Sequence, residues 1–323
     1  MVKNNYTMKR FFVMVAVLAM VLPSCEKNGE EQPTCNHSWM NGQCTICGSK
    51  KDAYDEETNT YYAATVEGLR TWKDALLKNC TANLVLIDDI VFEEGDKWSN
   101  AVYTEGHIEG YGYTIKNLTC DKGYFISGIQ NGGSIRNLNF ENVNISNTSS
   151  YAAIVGIVDH ECMVTNCRVS GVLSSGWTYA GIVGCNHGYV SSCINEATVY
   201  CKDNVAGGIV GCNLDGAVVA CLNLSTSVSG KGYIGSIVGQ NYANVYGCLG
   251  VVSTSGEGAI KASECVGKDI NKGKTTGCVI VNSMSEVTAE HIATMNEAIA
   301  ALGYSYRWVE GEDGGAPWLT SAE

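Results

Sequence analysis

Four potential metal ligands lie close together near the amino terminus of this 323-residue chain. Cys35 and His37 are followed by Cys44 and Cys47, which form a Cys-x-x-Cys pair before a glycine. Structural zinc takes four nitrogen or sulfur ligands in a tetrahedron, and a full set leaves no position for a substrate. The set therefore indicates a structural zinc site. A Cys44–Cys47 disulfide and a redox pair are the alternatives, although no strand-helix context supports redox chemistry.

The acidic turn Asp159-His160-Glu161 is the second group that could do chemistry. Glycoside hydrolysis needs two carboxylates across the sugar, and a lyase needs a base with a cation or metal. Asp159 and Glu161 can share a side because consecutive side chains alternate, and Asp203 or Asp215 is expected on a neighbouring coil. Against an enzyme, the repeats contain only two arginines with which to bind an acidic sugar.

Aromatic side chains outside the expected core are candidates for ligand contact, because their rings can stack on sugars or on a partner protein. The alternative is that they are ordinary, partly exposed strand residues. The candidates are Trp177, Tyr179, Tyr189, Tyr233, Tyr242 and Tyr246.

The elements that position these groups are indicated by four similar strings, AAIVG, AGIVG, GGIVG and GSIVG. Self-similarity at a fixed period of this size is typical of stacked coils. One period predicts three strands, at 180–185, 189–194 and 198–201. We therefore predict an all-β parallel β-helix or solenoid, with equivalent positions about 4.8 Å apart along the stack. The isoleucines of the strings recur every 27 to 28 residues, at Ile154, Ile182, Ile209 and Ile237.

Two further columns of identical residues are expected inside such a stack. Asparagine amides can hydrogen-bond to the amides above and below them, and asparagine tolerates turn geometry. Stacked cysteines could bind metal or form disulfides, but parallel in-register side chains seldom offer the required torsion. We therefore interpret them as small core residues. The asparagines are Asn186, Asn213 and Asn241, and the cysteines are Cys167, Cys193, Cys221, Cys248 and Cys278.

Short helices are predicted at both ends of the repeat. Thr65 can cap one helix after a charged linker at 50–60, and Thr288 can cap another. We expect both to be caps, because an open solenoid edge invites pairing with another chain. The predicted domains are a signal at 1–24, a tether with the Cys/His module at 25–60, an N-terminal helical cap with the first coils at 61–124, the repeat at 125–282 and a C-terminal helical cap at 283–323.

The first residues predict an export signal. Lys9 and Arg10 precede a short apolar run at 11–22, which is too short to span a bilayer. The sequence Leu-Pro-Ser-Cys ending at Cys25 resembles the lipobox of bacterial lipoproteins, with an ordinary signal peptide as the alternative. The acidic residues that follow resemble the surface-export tether of Bacteroidetes lipoproteins. The resemblance implies lipidation at Cys25 and anchoring to the outer membrane, facing outward.

The amino-acid composition limits the kinds of partner that the protein can bind. The formal net charge is −12 and no basic stripe is present, which argues against binding nucleic acid. The chain contains 37 glycines and only three prolines, all of them outside the repeat. This distribution favours a β protein with many turns, since proline cannot donate to a strand ladder.

The string AGGIVGCN at 206–213, with a cysteine-centred strand about ten residues on, resembles the GLUG motif of bacterial surface proteins. That motif also occurs in streptococcal immunoglobulin A peptidases, outside their catalytic domain. The resemblance implies a right-handed β-solenoid in an adhesin-like surface lipoprotein, and it carries over no catalytic residue. We therefore predict a non-enzymatic protein that presents its solenoid to a glycan or protein partner. A polysaccharide lyase or hydrolase and a purely structural stalk are the alternatives.

Overall fold

Parallel strands stacked along one axis form the body of the protein. The computed structural model describes residues 35–99, 102–120, 123–147, 151–175, 177–202, 204–225, 227–251, 264–270, 273–311 and 315–321. Within these ranges most strands belong to three long sheets, in which neighbouring coils pair in parallel. The predicted all-β solenoid is confirmed, and so is its period. The paired valines of the four similar strings are 27 or 28 positions apart, at Val155, Val183, Val210 and Val238.

Each sheet takes one side of successive coils, and in several coils that side consists of two short strands. Sheet 1 consists of Ala53–Asp55, Thr60–Ala63, Asn83–Leu86, His107–Glu109, Ser134–Arg136, Met163–Thr165, Tyr189–Ser191, Ala217–Val219, Asn244–Tyr246 and Lys274–Thr276. Sheet 2 consists of Ile90–Val91, Thr114–Lys116, Thr119–Cys120, Asn139–Asn147, Arg168–Ser175, Ile194–Asn195, Thr198–Cys201, Leu222–Asn223, Val228–Ser229, Leu249–Val251 and Val279–Val281. Sheet 3 consists of Tyr103–Thr104, Tyr124–Ile129, Tyr151–Val158, Thr178–Ala180, Val183–Asn186, Val205–Gly207, Val210–Asn213, Ile234–Gly235, Val238–Asn241 and Val266–Asp269. Two hairpins lie outside these sheets, Trp39–Met40 with Gln43–Cys44 and Tyr306–Val309 with Trp318–Ser321.

The corner between sheets 1 and 2 repeats one backbone conformation. The side chain after this corner belongs to the core, and it is a cysteine in five successive coils. Each of these thiols donates to the carbonyl two residues earlier, as Cys193 does to Ser191 at 3.3 Å. The cysteines are therefore core thiols that bond to the backbone, in agreement with our interpretation. The corner residues have φ between 50° and 64° and are Asn137, Asn166, Ser192, Ala220, Gly247 and Gly277.

Residues 180–185 form parts of two short strands instead of the single predicted one. The chain turns at Gly181, where a Cβ atom would lie only 2.4 Å from Asn195 Oδ1. Buried Asn195 donates to Asn223 at 2.8 Å, and Asn223 donates to the Ser236 hydroxyl at 3.0 Å. A second amide column, which the repeat did not lead us to predict, therefore fills the space beside this break.

A helix closes the amino-terminal end of the core, as predicted. Helix α1 spans Val66–Leu76, and the Thr65 hydroxyl accepts a hydrogen bond from the Gly68 N–H as the N-cap. Leu69 and Trp72 of this helix are fully buried in the same hydrophobic cluster as the coils. The helix is thus continuous with the core that it covers.

The prediction of a charged linker at 50–60 is wrong. Ala53–Asp55 and Thr60–Ala63 pair as an antiparallel hairpin, and the second strand extends sheet 1 in parallel. The Asp55 carboxylate accepts hydrogen bonds from the Glu57 N–H and the Thr58 hydroxyl within the turn. The polar residues are concentrated in this turn, where solvent and local bonds satisfy them, so their composition does not exclude a strand on either side.

A second helix packs on the outside of the coils. Helix α2 spans Ala289–Ala301 and begins at the predicted Thr288 cap. Its buried side chains belong to a cluster separate from the main core, together with outward-facing residues of sheet 2. At Gly247 a Cβ atom would lie 2.8 Å from Ala298 Cβ, so the helix rests directly on a corner. The predicted C-terminal helix is therefore present, and in the described residues it packs against the side of the later coils.

The coils and both helices belong to the compact unit His37–Glu323. No helix in the described ranges is long and apolar enough to cross a membrane. The predicted signal at 1–24 and lipidation site Cys25 lie outside the described residues, as does Asp203. The lipid anchor therefore stays a prediction from the sequence.

Candidate functional site

Three of the predicted zinc ligands, His37, Cys44 and Cys47, come together near the amino terminus. Cys47 Sγ lies 3.4 Å from His37 Nδ1 and 3.1 Å from the Ser49 hydroxyl oxygen. A Cys/His cluster of the kind that suits a tetrahedral ion therefore exists, and zinc itself stays a prediction. The donor atoms of His37, Cys44 and Cys47 all lie within 4.8 Å of one another, and Cys35 stays a predicted fourth ligand.

A tight hairpin presents Cys44 to this cluster. Both residues of its Asn41-Gly42 turn have positive φ, as a type I′ turn requires. Burial raises the pKa of the Cys44 thiol. Backbone N–H groups of Cys47 and Ile46, together with the His37 ring, outweigh burial and lower this pKa to about 5. The loop thus favours the thiolate, which is the form that binds metal.

The corner between sheets 3 and 1, which we call the 3–1 corner, comprises residues 158–162, 186–188, 213–216 and 241–243. Its inward positions carry Asn186, Asn213 and Asn241, all fully buried. The Nδ2 atom of each of the first two donates to the next Oδ1 at 2.8 Å. The predicted asparagine column is therefore confirmed, and its polar atoms are used in holding the stack together.

The outward side of the 3–1 corner holds a second set of polar groups. His160 Nε2 lies 2.9 Å from one oxygen of Asp215, and His187 Nδ1 lies 2.5 Å from the other. His160 Nδ1 lies 3.0 Å from Asp159 Oδ1. The donor atoms of His160, His187 and Asp215 all lie within 4.8 Å of one another, and we call these three residues the His/Asp cluster.

Opposite charges stabilise each other in this cluster. The hydrogen bond with Asp159 raises the pKa of His160, and Asp215 adds to this effect. The backbone N–H and ring of His160 lower the pKa of Asp159. Burial raises the pKa of Asp215, but the two imidazoles outweigh it and hold this pKa below its ordinary value. The cluster remains open to solvent, since the His160 side chain is 64% exposed and that of Asp215 is 55% exposed.

Two of the three residues of the predicted acidic turn take part in this arrangement. Asp159 and His160 meet Asp215, which is one of the two partners expected on a neighbouring coil. Glu161 adopts a left-handed φ of 62° and is not one of the three described residues that form the cluster. His187 lies between the predicted strands at 180–185 and 189–194 and was not a candidate. Its place in the repeat is the signal that could have found it. Val158 pairs with Asn186, so His187 occupies the position that Asp159 occupies one coil earlier.

The candidate aromatic residues do not converge on one site. Trp177 and Tyr189 are 63% and 44% exposed, and Tyr242 is half-buried. The expectation that Tyr179 lies outside the core is wrong, because this side chain is fully buried. Its neighbour in the next coil is Ala206, whose small side chain leaves room for the ring.

A different aromatic pair lies beside the amino-terminal cap. Tyr54 and Tyr61 are opposite each other in the hairpin, with ring centroids 4.4 Å apart and an interplanar angle of 33°. Tyr54 is 50% exposed, and its hydroxyl donates to Asn59 Oδ1 at 3.2 Å. Neither tyrosine was a candidate from the sequence, because Tyr54 lies in the predicted linker and Tyr61 in the predicted N-terminal cap.

Two clefts adjoin this tyrosine pair. The larger, of about 360 Å³, lies between the hairpin and helix α1, and its wall includes Asp74, Lys78 and Asn79. The smaller, of about 230 Å³, is lined largely by tyrosine and by Asp52. Both tyrosine rings line both clefts. The pair therefore offers apolar ring surface next to carboxylate, ammonium and amide groups.

Comparison with known proteins supports the architecture. No protein-family model matches the chain, and no curated protein matches it. Among solved structures, the chain is similar to the crystal structure of a putative immunoglobulin A1 protease from Bacteroides ovatus, with a TM-score of 0.55. The two are 20% identical, and the match covers 80% of this chain and 91% of that one. At this identity the similarity shows that the two chains share the solenoid fold, and it assigns no role to a residue.

Proposed function

We propose that the protein is a non-enzymatic, adhesin-like binding protein that holds a glycan in the clefts beside Tyr54 and Tyr61. One observation carries this proposal. A partly exposed tyrosine pair is bordered by two open clefts whose walls carry polar side chains. Binding sites commonly combine apolar ring surface with a few polar groups that fix the orientation of the ligand.

A sugar fits these walls because it is amphipathic. The C–H face of a pyranose ring can pack against a tyrosine ring, while its hydroxyls need donors and acceptors at the rim. In the larger cleft Asn79 and Lys78 supply donors, and Asp74 supplies acceptors. The open shape of both clefts suits part of a chain better than a small, fully enclosed molecule.

The linings support binding without hydrolysis. Glycoside hydrolysis requires two carboxylates on opposite sides of the bond. The larger cleft is lined by one carboxylate, Asp74, and the smaller by Asp52. The Asp52 carboxylate already accepts hydrogen bonds from the Ala64 N–H and from Thr65 at the start of helix α1. Its role is therefore to hold the helix in place.

The remaining features fit a surface protein. In this proposal Cys25 carries the lipid that anchors the chain to the outer membrane, and the Cys/His cluster holds a structural zinc ion between the anchor and the coils. The solenoid then acts as a rigid scaffold on which the hairpin and helix α1 hold the binding site. The acidic charge keeps the protein soluble and disfavours nucleic acid as a partner.

A glycan array tests the proposal most broadly. The full chain with Cys25→Ala, which removes the predicted lipid, is incubated with host and bacterial glycans, and the supernatant is analysed for cleavage products. We expect binding to a limited set of glycans without product release. Release of shortened products that continues after Tyr54→Ala but stops after Asp159→Ala would instead support an enzyme at the 3–1 corner.

A protein ligand is the other outcome to resolve. A pull-down with host proteins, treated or untreated with glycosidases, separates the two cases. Capture that depends on the sugar supports the proposal. Capture that survives removal of all sugars, or an array without any bound glycan, contradicts it.

A further inference from the structure

We propose that the His/Asp cluster is a binding site for a divalent transition-metal ion of the zinc type. This site lies on the outside of the 3–1 corner, apart from the tyrosine clefts and from the Cys/His cluster. It depends on neither of them and goes beyond the proposed glycan binding.

Stacking of the coils creates the site. His160, His187 and Asp215 come from three successive coils, and they are 27 and 28 residues apart in sequence. Asp215 directs one carboxylate oxygen to each imidazole. The two imidazole rings lie 5.3 Å apart between their centroids, so both nitrogen donors approach one carboxylate from the same side of the solenoid.

The hydrogen-bond pattern of His160 leaves a place for a cation. Both of its ring nitrogens face carboxylate oxygens, Nδ1 facing Asp159 and Nε2 facing Asp215. A neutral imidazole carries one proton, which satisfies only one of these contacts. The other contact takes either a second proton on the ring or a metal ion that binds both Nε2 and the Asp215 carboxylate. A divalent ion in this position also balances the charge of the two carboxylates.

The donor set matches the preferences of zinc. Imidazole nitrogen and carboxylate oxygen bind zinc at about 2.0 to 2.2 Å, which places tetrahedral ligand atoms about 3.4 Å apart. The cluster atoms lie within 4.8 Å of one another, so small side-chain rotations can reach this spacing. Asp159 then takes the usual position of a carboxylate that orients a metal-bound histidine through its other nitrogen.

The geometry also indicates what the ion would do. Three protein ligands leave at least one coordination position open, unlike the four ligands of the Cys/His cluster. The side chains of His160 and Asp215 are more than half exposed, so this position faces solvent. A hydroxyl, carboxylate or imidazole group of a partner could therefore complete the coordination of the ion.

Metal titration of the full chain tests the site. After chelation, Zn²⁺ binding is measured by calorimetry in a Cys44→Ser, Cys47→Ser background, which removes the amino-terminal cluster. We expect about one equivalent of Zn²⁺ to bind in this background. Adding His187→Ala or Asp215→Asn should weaken the affinity about 100-fold or more, and Asp159→Asn about 10-fold. His107→Ala, a histidine outside the cluster, is the matched control and should change nothing.

Co²⁺ gives a second readout that does not depend on a variant of the cluster. Bound through nitrogen and oxygen in the same background, it should show ligand-field absorption without thiolate charge transfer. Equal affinity with and without His187→Ala and Asp215→Asn would overturn the proposal. Absence of Zn²⁺ and Co²⁺ binding in the cysteine-substituted background would overturn it as well.

Discussion

The inner and outer positions of the 3–1 corner are adjacent in sequence, but they differ in how strictly the residue type repeats from coil to coil. Inside, asparagine recurs in coil after coil and each amide bonds to the next. Outside, the residue after each of these positions changes, from Asp159 to His187 to Leu214 to Tyr242. Repetition of asparagine at the inner position is favoured because each buried amide bonds to the amide of the next coil as well as to the backbone of its own turn. The outer position meets solvent, which lets each coil carry a different side chain without cost to the stack.

This contrast shows where binding chemistry can reside in a regular solenoid. A position that repeats is accounted for by stacking, whereas a group of polar side chains that appears once needs another explanation. The His/Asp cluster and the tyrosine clefts are both of the second type. They lie outside the ladders of the core and depend on them only for position.

The largest expected difference is in the rate of thiol labelling, between an exposed cysteine and a cysteine of the buried column. Cys47 is exposed, whereas Cys193 is fully buried, and burial raises the pKa of the Cys193 thiol. After chelation, iodoacetamide should modify Cys47 about 1,000-fold or more faster than Cys193, since the buried thiol reacts only after the coils open. Mass spectrometry of timed digests measures both rates. Similar rates would mean that the column is not a closed core.

Substitution of the inner asparagine should reduce stability strongly. Asn213→Leu removes an acceptor for Asn186 and donors to Asn241 and to the Asn244 carbonyl, so buried polar groups lose hydrogen bonds that solvent cannot replace. We expect a loss of about 3 kcal/mol in the free energy of unfolding, measured with denaturant. Asn244→Ala, with the side chain on the outer face, should change it by about 0.5 kcal/mol or less. Equal effects of the two substitutions would contradict the structural role of the column.

The contact between helix α2 and the coils can be broken at one corner. Gly247→Ala places a methyl group against Ala298, and we expect a loss of about 2 kcal/mol. Limited proteolysis should then cut the carboxy-terminal segment first. Gly132→Ala places a methyl group at another glycine with positive φ, 81°, where no atom lies within 4 Å of it, and should leave the helix protected. Unchanged protection in Gly247→Ala would argue against this packing.

An exposed ion pair should have the smallest effect. Burial raises the pKa of Asp89, but the Lys116 ammonium, with its Nζ atom 2.9 Å away, and the Thr114 N–H outweigh it and hold the pKa low. Its stabilising contribution is therefore present above the ordinary carboxyl pKa and is lost as the pH falls through the lowered value. Asp89→Asn should cost about 1 kcal/mol or less at pH 7, and the difference from wild type should vanish near pH 2. A difference that grows toward low pH would have the wrong sign.

The sequence predicted the features that repeat. The 27-to-28-residue period, the asparagine column and the cysteine column follow from identical residues at inward positions, and the Thr65 and Thr288 caps follow from local chemistry. These features depend on near neighbours in the sequence or on exact repetition. For this reason they could be derived without coordinates.

The candidate sites were harder to predict, because they depend on side-chain directions between different elements. Tyr54 and Tyr61 meet only because a polar segment folds as a hairpin. His160 reaches Asp215 across an intervening coil, and no pattern in the sequence indicates that reach. Tyr179 was wrongly expected outside the core, because the small side chain of Ala206 in the next coil leaves space for a buried ring.

The central claim, that the tyrosine clefts bind a glycan, is tested most directly by calorimetric titration with the best ligand from the array. Tyr54→Ala should weaken binding about 10-fold through loss of ring contact, and Tyr54→Phe should bind nearly as well as wild type. Tyr200→Ala removes a similarly exposed ring, 49% accessible and on sheet 2, and should have no effect. Equal binding by Tyr54→Ala and Tyr200→Ala would contradict the account.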